Sequence, residues 1–71
     1  MHQEFNYITL KKYTANNYPF QCRYIAYKLE TEQIKDVQLI DIYTYICTTD
    51  KAKYKLTFND IDLLDARIEK R

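Results

Sequence analysis

With 71 residues, 46% of them hydrophobic, the chain is long enough for one folded domain and too short for two. A formal net charge of +1 excludes a global attraction to nucleic acid or anionic lipid, so any such binding needs a local patch. Glycine, serine and tryptophan are absent, which removes glycine-rich phosphate loops and serine nucleophiles, while eight tyrosines supply apolar bulk with a polar tip.

In chain order, residues 5–14 (FNYITLKKYT) and 20–30 (FQCRYIAYKLE) are rich in aromatic and β-branched side chains and are expected to be strands. Between them, Ala15, Asn16, Asn17, Tyr18 and Pro19 form a turn signal, because asparagine tolerates the left-handed region and proline cannot donate to a ladder. Residues 37–48 (VQLIDIYTYICT) form the longest apolar run and read as a third strand. Thr48, Thr49, Asp50 and Lys51 then turn the chain into residues 52–58, where Ala52, Tyr54, Leu56 and Phe58 alternate with Lys53, Lys55 and Thr57.

The last segment changes period. Asn59 is placed to cap a helix, Phe58 and Leu63 to staple it, and Ile61, Leu64 and Ile68 to form its apolar stripe. Acids early (Asp60, Asp62, Asp65) and bases late (Arg67, Lys70, Arg71) match the helix dipole. The expected fold is therefore α+β, a four-stranded antiparallel β-meander with a C-terminal α-helix over 60–70 packed on one face. The competing choice is a final strand, giving a small all-β SH3-like or Sm-like barrel.

Register separates two faces in such a meander, because a one-residue slip exchanges them. Cys22 opposite Cys47 sets Lys28 opposite Asp41 and Tyr24 opposite Tyr45, and Ile46 then falls opposite Tyr54. One face collects Ile8, Leu10, Ile25, Tyr27, Leu29, Ile40, Ile42, Ile46, Tyr54, Leu56 and Phe58 as a core. The other carries Tyr7, Lys11, Tyr13, Tyr24, Lys28, Tyr43, Tyr45, Lys53 and Lys55, with Phe5, Cys22 and Asp41 among them, and is the candidate interaction face.

No catalytic, cofactor or metal set is expected. Cys22 and Cys47 read first as small apolar residues, with a cross-strand disulfide as the alternative. Two cysteines and His2, on a terminus expected to fray, do not close a tetrahedral ligand set. Asp60, Asp62 and Asp65 fit a helix start better than an acid–base pair in a dry pocket.

The chain thus reads as a small non-enzymatic binding or regulatory protein acting by protein–protein contact, with a partner or with itself as a homodimer, through its tyrosine–lysine face. The alternative is a single-stranded nucleic-acid binder whose tyrosines stack bases and whose lysines meet phosphates. Heavy use of Lys, Ile, Tyr, Asn and Asp matches AT-rich codons, in keeping with a phage or mobile-element accessory protein or inhibitor. No apolar run reaches membrane-span length and the first residues are unlike a signal peptide, so a soluble cytoplasmic protein is the expectation.

Overall fold

A computed structural model describes residues 1–59 and 65–71. Two helices precede the sheet: α1 (Gln3–Thr14), α2 (Pro19–Lys28), then β1 (Ile34–Asp41), β2 (Thr44–Thr49), β3 (Lys53–Phe58) and β4 (Ala66–Lys70). The sheet is an open antiparallel meander in the order β1-β2-β3-β4.

The α+β class and the four-stranded antiparallel meander agree with the sequence reading, but the strands come from different segments. Residues 5–14 and 20–28 are helical because their buried positions recur at helical spacing. Asn6, Leu10 and Thr14 line one side of α1, and Gln21, Cys22, Ile25 and Ala26 line one side of α2. Pro19 sits at the start of α2, where its missing N–H costs nothing. Burial of these stripes overrides the strand preference of the tyrosines and isoleucines around them.

The expected C-terminal helix is replaced over Ala66–Lys70 by β4, and residues 60–64 of that expected helix lie outside the described residues. Ala66 pairs with Phe58 and Ile68 with Leu56, so the alternation of Ala66 and Ile68 with Arg67 and Glu69 prevails there. The final segment thus takes the competing choice of a strand, yet the sheet stays open instead of closing into a barrel.

The long run 37–48 is a hairpin, not one strand. Asp41 Oδ1 accepts the Tyr43 N–H at 2.8 Å, an Asx turn that reverses the chain over Ile42 and Tyr43 without glycine. Another glycine-free reversal ends α1. Ala15 (φ 53°) and Asn16 (φ 61°) both adopt the left-handed region. Asn16 N–H bonds to Lys11 O at 2.9 Å and Ala15 N–H to Lys12 O at 3.4 Å, the pairing of a Schellman motif with alanine where glycine is usual.

The β2–β3 register sets Tyr45 opposite Leu56 and Cys47 opposite Tyr54, one residue away from the expected pairing. That slip turns Tyr45 and Cys47 inward and Ile46 outward. The core comprises Leu10, Cys22, Ile25, Ala26 and Leu29 from the helical half, and Ile34, Val37, Tyr45, Cys47, Leu56 and Phe58 from the sheet. Phe58 is packed edge-on by Tyr24 and Tyr45, with ring centroids 5.7 and 5.8 Å away. Cys22 and Cys47 do share the core, as free thiols meeting helix to sheet and not across two strands.

One polar side chain ties the helices to the sheet. Asn6 is fully buried, and its Nδ2 donates to Leu29 O (3.1 Å) and Glu32 O (2.8 Å) while its Oδ1 accepts the Ile34 N–H (2.9 Å). His2 N–H bonds to Glu30 O at 2.8 Å, so the beginning of α1 is anchored, contrary to the frayed terminus expected from sequence. No helix among the described residues is long and apolar enough to cross a membrane.

Candidate functional site

The two helices cover one face of the sheet and leave the other open, dividing the nine tyrosines and lysines of the expected interaction face among four places. Tyr7, Lys11, Tyr13, Tyr24 and Lys28 lie on the helix layer. Tyr43 is exposed in the β1–β2 turn, and Lys53 and Lys55 project from the open face of the sheet. Tyr45, expected on the surface, is fully buried because the β2 register directs it under α2. There its hydroxyl donates to Gln21 Oε1 at 2.8 Å. Lys28 does not pair with Asp41: it stands over the Tyr24 and Tyr27 rings, 5.6 and 5.9 Å from their centroids.

On the helix layer, cations and tyrosine rings are interleaved. The Arg23 guanidinium lies 3.7 Å from the centroid of Tyr7 and bonds Glu4 at 2.9 Å, so one side chain bridges α2 to α1. Lys11 approaches the same ring at 5.4 Å. Tyr13 Oη donates to Asp36 on β1 at 3.1 Å, and this bond holds its phenol above the ordinary pKa.

The outward surface of this layer also carries apolar side chains, of which the strand reading placed only Phe5 on the interaction face. Phe5, Ile8, Phe20 and Tyr27 are 47%, 51%, 69% and 57% exposed. Ile8 and Tyr27 were expected in the core, but on their helices they fall opposite the buried stripes. Only the helical period brings Ile8 and Tyr27 out: Phe5, Ile8 and Lys12 occupy the side of α1 away from Asn6, Leu10 and Thr14. A hollow of about 320 Å³ beside Ile8 is walled by Lys11, Lys12, Ala15 and Asn16.

The open sheet face has a different chemistry. Gln38, Ile40, Asp41, Thr44, Ile46, Lys53, Lys55 and Arg71 line a shallow depression of about 570 Å³. Lys53, Lys55 and Arg71 make it basic, and no tyrosine lines it.

The two thiols are poor nucleophiles. Burial, then the neighbouring Cys22, pushes Cys47 up to about 12, and burial raises Cys22 above the ordinary thiol range. At the far end of the sheet, Glu32 accepts hydrogen bonds from Thr49 Oγ1 (2.6 Å) and Tyr54 Oη (2.5 Å). These bonds hold the carboxyl below its usual range and push the Tyr54 phenol up to about 12. The cluster links the α2–β1 connection to the β2–β3 hairpin.

No protein-family model, curated protein or solved structure matches the chain.

Proposed function

We propose that the chain is a small binding protein that acts by protein–protein contact through the outer surface of its helix layer. The observation that carries this reading is the exposure of Phe5, Ile8, Phe20 and Tyr27 on the two helices. Helices that cover one sheet have no packing reason to carry large apolar groups on their outer side, and such groups mark contact surfaces. On the two helices stand Lys11, Lys12, Arg23 and Lys28, against a single helical acid, Glu4, that is already paired with Arg23. The complementary partner is a protein with an apolar patch rimmed by aspartate or glutamate.

The alternative, single-stranded nucleic acid, needs rings and cations on one surface. Tyr45 is buried and Tyr24 is packed on Phe58, while Lys53 and Lys55 lie across the sheet from the helix tyrosines. The expected stacking platform is therefore divided, and on the helix layer Arg23 already covers the Tyr7 ring, which favours protein contact.

The test compares two folded variants in partner capture and direct titration. Phe20→Ser with Tyr27→Ser is expected to abolish binding, and Lys53→Glu with Lys55→Glu to leave it intact. The reverse pattern, or salt-sensitive binding of single-stranded DNA or RNA by the wild type, would refute the helix-layer reading.

A further inference from the structure

The last strand ends the sheet, and among the described residues nothing pairs with its outer edge. Along β4 Ala66 is half-buried and Arg67, Ile68, Glu69 and Lys70 are exposed. The other edge is different. β1 is interrupted by register shifts near both ends, and Tyr13 bonds to Asp36 beside the first of them. Bulges and covering contacts are the usual protection of an edge strand. Among the described residues β4 has neither, and its pairing with β3 is regular throughout.

The hydrogen-bond parity of β4 follows from its flanks. Arg71 N–H bonds to Lys53 O at 2.7 Å and Asn59 N–H to Asp65 O at 3.4 Å. Antiparallel ladders alternate, so Arg67 and Glu69 direct their backbone groups toward β3, while Ala66, Ile68 and Lys70 direct theirs outward. A new antiparallel strand must therefore bond at those three residues.

We propose that β4 pairs with β4 of a second copy, in the register that sets Ile68 opposite Ile68 and Ala66 opposite Lys70. The outward groups of both strands then bond each other about a two-fold axis, and the two sheets become one. Arg67 of each copy falls opposite Glu69 of the other at the closely spaced, non-hydrogen-bonded positions, on the open face of the joined sheet. Within one chain these two side chains are only loosely paired, at 3.7 Å, and their side chains are 78% and 47% exposed. The neighbouring registers of the same parity oppose Arg67 to Arg67 or Glu69 to Glu69, so charge selects this one. The half-exposed Ile68 side chains meet on the helix side. The contact is a short one, of the small and concentration-dependent kind.

This association is independent of the helix-layer surface. Sedimentation velocity from about 1 µM to about 1 mM is expected to show the mass rising to twice the monomer and stopping there. Arg67→Glu or Glu69→Arg alone turns both symmetric contacts repulsive and weakens association about tenfold. Arg67→Glu with Glu69→Arg restores it, because exchange of the charges preserves their complementarity. Ile68→Pro removes an outward N–H without touching the ladder to β3, and yields a monomer with an unchanged sheet signal in circular dichroism. A wild-type monomer at every concentration, single reversals without effect, a double exchange that fails to restore the dimer, or growth beyond a dimer each overturns the proposal.

Discussion

The Tyr45 hydroxyl donates to the Gln21 amide oxygen at 2.8 Å inside the core, joining β2 to α2 through two side chains that are almost wholly excluded from solvent. Among the described residues, Gln21 Nε2 has no partner. Tyr45→Phe leaves the glutamine with neither end satisfied and is expected to cost about 1–3 kcal/mol in urea unfolding. Adding Gln21→Met removes both polar partners together and should recover most of that loss. A double variant no more stable than Tyr45→Phe alone would show that the pair does not act as a unit.

Asn6 is the most sensitive polar position. Asn6→Ala leaves Leu29 O, Glu32 O and the Ile34 N–H without their side-chain partner, at a cost of about 3 kcal/mol or more. Asn6→Asp directs a carboxylate at two carbonyl oxygens and should be worse at neutral pH. Its carboxyl would titrate above the unfolded value of about 4. The deficit should therefore shrink as pH falls through that raised value, and denaturant melts of both variants at two pH values check the sign.

Ala15 holds a left-handed conformation at φ 53°. Ala15→Gly removes the Cβ clash there, against some added freedom in the unfolded chain, and is expected to stabilise the fold by about 1 kcal/mol. The thermal midpoint should rise by about 4–8 °C, as read by calorimetry.

The Glu32, Thr49 and Tyr54 cluster sets a pH window. The depressed Glu32 carboxyl contributes stability above its unfolded value of about 4.3, which is lost as pH falls through the lower folded value. The raised Tyr54 phenol contributes fully below about 10, and that contribution is lost as pH rises to about 12. Glu32→Gln should flatten both limbs of the stability profile and bring Tyr54 ionisation, followed by its ultraviolet absorbance, back toward an ordinary tyrosine.

The strand over residues 52–58 and the inward set Tyr54, Leu56 and Phe58 are legible in the sequence, because alternation there is strict. The α+β class and the antiparallel meander also agree, although two of the four expected strands are helices. Those helices are not legible. Asn6, Thr14 and Gln21 are polar residues in buried stripes, so an apolar period read without them is broken where it matters. In β2 the sequence around Tyr45 offers apolar groups on both faces, Ile42 and Ile46 against Tyr43, Tyr45 and Cys47. Alternation cannot rank two registers that are both apolar; α2, with Gln21 meeting Tyr45, decides between them. The candidate surface was partly legible for a related reason. Tyr7, Lys11, Tyr13, Tyr24 and Lys28 do share a layer with Phe5, but Ile8, Phe20 and Tyr27 become outward only once the period is helical.

The Asn6 contacts also impose an order on chain synthesis. Its partners lie 23 to 28 residues downstream, so α1 cannot be locked in place until Ile34 has been made. Each strand of the sheet, by contrast, pairs with the one just before it, and a meander grows by local steps as the chain emerges. A chain cut short before Leu29 would hold two helices with no partner for the asparagine that joins them to the sheet.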